Sequence, residues 1–143
     1  MFFNWTDTTT KVDWIELTAL YQAAKLGNKS ANNLKIVYAN SLYKSFLYDN
    51  GKLVGAGRAL ADGVDCAYLC DIALLPSHQG QGLGQAIVQR LLDFSRGHKK
   101  IILYAVPGKE NFYKKLGFKR MITAMAIFAD QDAALRQGYV NDN

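Results

Sequence analysis

The chain has 143 residues, 50% of them hydrophobic and 20% charged, with a net charge of +5. That length suits one domain, expected to span residues 1–143, and the apolar share is enough to close a core, which excludes an intrinsically disordered chain. The opening MFFNWTDTTT carries no basic leader and reaches Asp7 before any apolar run long enough for a signal peptide or a membrane span, so a cytoplasmic protein with no membrane partner is expected.

Phe2, Phe3 and Trp5 predict a short first strand. Thr10, with Asp13 three residues on, gives a capping signal for a helix carrying Val12, Ile15, Leu17, Leu20, Tyr21 and Ala24, stopped at Gly27-Asn28. Ser30 caps a second helix through Leu34, Val37 and Tyr38 to about Asn40. From Tyr43 the pattern turns strand-like: Phe46, Leu47 and Tyr48 enter the turn Asp49-Asn50-Gly51, and Lys52-Leu53-Val54 leave it, a hairpin signal. Gly55 and Gly57 are expected to loosen the second of these strands. After a turn at Asp62-Gly63, the nearly continuous apolar run from Ala67 to Leu75 reads as a central strand covered on both faces.

Pro76 ends that strand at a glycine-rich turn, Gly80, Gly82 and Gly84 alternating with Gln81, Leu83 and Gln85. Leu83, Ile87, Leu91 and Phe94 then recur at helical spacing. A helix starting near Gly82 directs its free N–H groups and the positive end of its dipole into the turn, which is a cradle for phosphate. A strand from Lys100 to Val106 follows, parallel to the central one by a right-handed crossover. Pro107-Gly108 breaks it, residues 110–116 form a short helix, Gly117 terminates that helix, and Phe118–Phe128 reads as one long strand or a pair. The tail from Asp130 to Asn143 has few apolar residues and is expected to be partly mobile. The fold class is α/β (α+β): an antiparallel meander feeding a strand, helix, strand crossover, with the site where the glycine turn leaves the carboxyl end of a strand.

Several chemistries are disfavoured. Cys66 and Cys70 form no C-x-x-C pair, and His78 and His98 lie far from them, so no metal site is expected. The turn has no Gly-Lys-Ser/Thr ending, which removes the nucleoside-triphosphate loop, and as G-x-G-x-x-G it breaks at Gln85 or Ile87, which disfavours a nicotinamide or flavin. The basic excess at Lys99, Lys100, Lys109, Lys114, Lys115, Lys119 and Arg120 suits a phosphorylated small molecule as well as nucleic acid. A nucleic-acid partner ranks far lower, because it would leave the glycine turn without a task.

The run Gln79 to Gly84 reads Q-x-x-G-x-G behind an apolar strand, and with Phe112-Tyr113-Lys114-Lys115-Leu116-Gly117-Phe118 further on it resembles, in order and spacing across residues 43–128, the GNAT superfamily of acetyl-CoA-dependent N-acetyltransferases. Leu53 to Asp71, with Gly57-Arg58, is similar to a bacterial and plastid subgroup that includes plant serotonin acetyltransferases. The resemblance implies a mixed, mainly antiparallel central sheet with splayed central strands, flanked by helices. It assigns the main chain of Ile72, Ala73 and Leu74 to the pantetheine arm and acetyl carbonyl of acetyl-CoA, and Gly80, Gln81, Gly82, Leu83, Gly84 and Gln85 to the pyrophosphate, with Gln79 also among the cofactor-binding residues. Tyr113 matches the tyrosine that protonates the departing thiolate. A phenol near pKa ~10 facing a thiol near ~8.5 loses only about 2 kcal/mol in giving up its proton.

The implied reaction is acetyl transfer to a primary amine by direct attack in a ternary complex, since no activated Cys or Ser is evident. The acceptor is a small-molecule amine or a protein amine, and the resemblance admits a homodimer. The alternative is a non-catalytic acyl-CoA-binding regulatory domain. Relatives carry a glutamate base where Tyr68 and Leu103 stand, so the general base is unassigned. Asp71 either acts through water, holds the acceptor ammonium, or pairs with Arg58 or a backbone group. Arg58 either faces solvent or grips an acidic substrate. Lys109 or Asn111 replaces the polar residue that relatives use on the cofactor. His78 is expected on the loop surface. The helices between Val12 and Asn40 are expected to wall the acceptor pocket, with Trp14, Tyr21 and Tyr38 either suiting an arylalkylamine or serving as core.

Overall fold

The computed structural model describes residues 2–143. Its sheet has five strands in the order β1-β2-β3-β4-β5: β1 (Phe3–Thr6), β2 (Tyr43–Asp49), β3 (Lys52–Ala61), β4 (Cys66–Leu74) and β5 (Lys100–Ile102). The first four pair antiparallel and β5 joins β4 in parallel, so the sheet is mixed and mainly antiparallel, with helices against it. Between β1 and β2 lie α1 (Trp14–Ala23) and α2 (Ala31–Ala39), and between β4 and β5 lies α3 (Leu83–Phe94). The chain divides into two compact units, the first ending at Leu103 and the second running from Tyr104 to Asn143 with α4 (Glu110–Lys114) and α5 (Gln131–Arg136).

Local signals account for most boundaries in the first unit. The Asp13 carboxylate accepts the Ile15 and Glu16 amides at 3.0 and 3.2 Å, so Asp13 rather than Thr10 starts α1, and Val12 precedes the helix. Ser30 Oγ accepts the Asn33 amide at 3.1 Å and α2 ends against Asn40, as its spacing predicts. Asn50 and Gly51 turn the β2–β3 hairpin. Asp62 Oδ1 accepts the amides of Val64, Asp65 and Cys66, and these bonds hold its carboxyl down at about 2.

Leu17, Leu20, Tyr21, Leu34, Tyr38, Phe46, Leu53, Ala56 and Ala73 form a buried core between α1, α2 and the sheet. Each large side chain taken fully from water there contributes roughly 1.5–3 kcal/mol. Tyr21 and Tyr38 are wholly buried, so they serve as core and do not line an acceptor pocket. On α3, Ile87, Val88 and Leu91 are buried. Gly55 and Gly57 do not loosen β3; both are buried, and they let α3 come close. A Cβ on Gly55 would stand 2.8 Å from Ile87 Cδ1, and one on Gly57 3.0 Å from Leu91 Cδ1.

Two strand expectations need correction, and the tail holds an element not expected there. The strand predicted over Lys100–Val106 ends at Ile102. Phe118–Phe128 forms no strand: Ile122, Met125 and Ile127 are 91%, 95% and 94% exposed, and strand propensity without a pairing partner or a core to cover does not make a strand. The tail is helical over Gln131–Arg136, because Asp130 Oδ1 accepts the Ala133 amide at 2.9 Å and starts α5.

Candidate functional site

Residues Asp71 to Gln85 run from an irregularity in β4 through the glycine turn into α3. In the β3–β4 ladder Arg58 faces Cys70 and Ala56 faces Ala73, so Gly57 alone stands opposite both Asp71 and Ile72. This is a β-bulge, one residue facing two, which bends a strand and re-aims its peptide groups. Asp71 takes φ +55°, a left-handed conformation that Asp tolerates better than most side chains. On the other side of β4, pairing with β5 covers only Cys66 to Tyr68. From Leu69 onward β4 continues without a β5 partner, because β5 ends at Ile102.

The bulge is held from several elements. Tyr21 of α1 donates its hydroxyl to the Asp71 carbonyl at 2.7 Å and is hydrogen-bonded to the Tyr38 hydroxyl of α2. Arg58 Nε on β3 donates to Asp71 Oδ2 at 2.8 Å, and its Nη1 donates to Ser41 Oγ at 3.2 Å. Lys29, between α1 and α2, lies 3.5 Å from Asp71 Oδ1. The Asp71 carboxylate is therefore ion-paired, and Arg58 faces it rather than open solvent. Burial pushes the Cys70 thiol up to about 11, which disfavours the thiolate that a nucleophile needs.

After a short 3-10 turn (Pro76–His78), Gln79 Nε2 donates to the Leu74 carbonyl at 3.2 Å and ties the glycine turn to the end of β4. His78 is no loose surface residue. Its Nε2 sits 2.8 Å from Asp49 Oδ2 on β2, with both side chains 14% exposed. Gly80 and Gly82 take φ +82° and +81°, the region where glycine is required, whereas Gly84 lies within α3. Gly82 caps α3 with no side-chain bond, and the Gly82 carbonyl accepts the Ala86 amide at 3.0 Å. Among the described residues the peptide nitrogens of Gly80, Gln81, Gly82, Leu83, Gly84 and Gln85 make no protein hydrogen bond. Amides without a protein partner at the positive end of a twelve-residue helix are suited to an anion. Two open concavities, of about 170 and 420 Å³, are lined by Asp7, Leu42, Tyr43, Lys44, Phe94 and by Ala39 to Leu42, Lys44, Ala61. Neither includes any residue of this stretch.

The structure thus brings together Asp71, Ile72, Ala73 and Leu74 with the run Gln79 to Gln85. Tyr113 belongs to the second unit, on α4, tilted against Phe112 (centroids 5.0 Å) and edge-on to Phe118 (5.9 Å). Burial raises its phenol above the ordinary tyrosine value. A raised phenol pKa makes proton transfer to any thiolate costlier than reference values suggest. Lys109 is exposed and starts α4. The sequence reading missed Tyr21 and Lys29 as partners of Asp71, since no local pattern links residues that far apart in the chain. Gly57 was the available signal, as a glycine inside a strand marks a bulge or a close approach.

With this geometry in view, residues 5–118 match the pattern of the Acetyltransferase (GNAT) family. The chain belongs to this family of acetyltransferases. It is 30% identical over 113 residues, 75% of this chain and 63% of the other, to an uncharacterized ycf52-like N-acetyltransferase of Prochlorococcus marinus. It is 44% identical over 70 residues to the chloroplastic serotonin N-acetyltransferase 2 of Oryza sativa, covering 48% of this chain and 35% of that one. The chain therefore spans between about a third and under two thirds of these relatives. In fold it is similar to a solved probable acetyltransferase of Staphylococcus aureus, with a TM-score of 0.79 and 24% identity over 90% of this chain and 99% of that one. Among the described residues no helix is long and apolar enough to cross a membrane, and no group of His, Cys, Asp and Glu is arranged to hold a metal.

Proposed function

We propose that this chain moves the acetyl group of acetyl-CoA to a primary amine by direct attack within a ternary complex. The carrying observation is the row of peptide nitrogens from Gly80 to Gln85 without a protein partner, following a β4 end that runs beyond its last β5 pair. In this reading the turn grips the coenzyme's diphosphate, Gln79 holds the turn in register with Leu74, and the main chain of Ile72 to Leu74 bonds the pantetheine arm as an added strand would. A bulge amide polarises the thioester carbonyl. The neutral amine attacks the carbonyl carbon, the C–S bond breaks, and the thiolate leaves with a hydrogen bond or proton from Tyr113, the role carried over from the family motif.

Direct attack is supported by Cys70, whose half-buried thiol favours the protonated form. An alkyl ammonium of pKa around 10 must lose a proton before it attacks. Asp71, already paired with Arg58 and Lys29, is better suited to fixing the strand than to taking that proton. The burial of Tyr21 and Tyr38 removes the main support for an aromatic acceptor pocket built from them, so the acceptor is stated here as a primary amine.

Thiol release from acetyl-CoA against a panel of amines tests the proposal. Turnover with at least one amine is expected. Coenzyme A binding without turnover of any amine would instead mark an acyl-CoA-binding regulator. Tyr113→Phe is expected to lower kcat by roughly 10- to 100-fold, in the range of a lost general acid, with coenzyme A affinity unchanged; an unchanged kcat would remove Tyr113 from the mechanism.

A further inference from the structure

The peptide group between Asp71 and Ile72 is trans, so its carbonyl and its N–H point in opposite directions. The carbonyl end accepts the Tyr21 hydroxyl at 2.7 Å. A carbonyl has no hydrogen to give, so the single hydroxyl hydrogen of Tyr21 is committed to it, and the bond between the two tyrosines must be donated by Tyr38. The donors therefore run in one direction, from Tyr38 to Tyr21 to the Asp71 carbonyl. Burial raises both phenols well above the ordinary tyrosine value, which keeps both hydrogens in place across the working pH range. A hydrogen bond accepted at an amide oxygen polarises that amide, and chains of such bonds strengthen one another. At the far end of this peptide is the Ile72 N–H, which lies in the bulge, outside the β3 register and beyond the last β5 pair at Tyr68.

We propose that Tyr21 is a positioning residue for acyl transfer: by holding the Asp71 carbonyl it fixes the left-handed bulge and both aims and strengthens the Ile72 N–H that meets the thioester oxygen. The proposal rests on the acetyltransferase reading and deepens it. Arg58 and Lys29 grip the side chain of the same residue, so β3, α1 and the α1–α2 connection all converge on Asp71. Tyr21 touches neither substrate in this account; it acts through the backbone.

Tyr21→Phe and Tyr38→Phe make a matched pair, because each deletes one hydroxyl from the same buried bond while only Tyr21→Phe releases the Asp71 carbonyl. A merely structural role predicts equal effects. Positioning predicts that Tyr21→Phe keeps coenzyme A affinity within about twofold while kcat falls about tenfold or more, a loss in keeping with a misaimed donor. Tyr38→Phe is expected to stay within about threefold, since it removes only the cooperative part. The Ile72 amide proton in an ¹⁵N-resolved spectrum supplies a readout independent of turnover: it moves upfield in Tyr21→Phe and much less in Tyr38→Phe. An unmoved Ile72 resonance in Tyr21→Phe, or equal effects of the two substitutions on Ile72 or kcat, would overturn the proposal. Should Tyr21→Phe not fold, 3-fluorotyrosine placed at position 21 makes a stronger donor without deleting anything, and Ile72 must then move downfield. If the unaltered protein turns over no amine, the acetyltransferase reading fails, while the Ile72 shift still decides whether Tyr21 governs this peptide.

Discussion

The stretches Cys66–Gln85 and Phe118–Phe128 are both rich in apolar residues, and they meet opposite fates. In the first, β4 pairs with β3, shares the core through Ala67, Leu69 and Ala73, and leads into a turn whose glycines take left-handed conformations. In the second, Ile122, Met125 and Ile127 are over nine-tenths exposed and no strand forms. Apolar, β-prone composition alone does not decide the outcome; a partner on which to bury does.

Matched substitutions sharpen this contrast. Ile87→Ala removes a wholly buried side chain from the α3 face packed over Gly55 and Gly57, and is expected to cost about 2–5 kcal/mol in urea unfolding. Gly82→Val places a branched side chain at φ +81°, for an expected loss of roughly 1–2 kcal/mol, together with abolished coenzyme A binding as the turn distorts. Ile127→Ala makes the same chemical change as Ile87→Ala, at a side chain 94% exposed, and is expected to shift stability by less than about 0.5 kcal/mol. Equal costs for the two isoleucines would break the comparison, and would mean that Phe118–Phe128 is covered in solution.

Legibility followed the range of the interactions involved. The hairpin at Asn50-Gly51, the Ser30 cap and the glycine turn before α3 depend on neighbouring residues, and each could be read from the sequence. The α5 helix carried its signals too, Asp130 ahead of Ala133 and Gly138 behind, but its low apolar content hid them. The bulge could not be read, since Asp71 is held by Tyr21, Lys29 and Arg58 from separate elements. His78 was misjudged for the same reason, as its Asp49 partner lies across the sheet. The glycine motif pointed to the candidate turn, whereas the peptide geometry beside it required the fold.

The central claim is that the free amides at the start of α3 grip a diphosphate. Titrating ¹⁵N-labelled protein with coenzyme A and following the amides of Gly80 to Gln85 tests it most directly. Large, saturable shifts of those amides, with smaller ones along Ile72 to Leu74, are the predicted result. Binding that leaves the turn amides unmoved, or no binding at all, would contradict it.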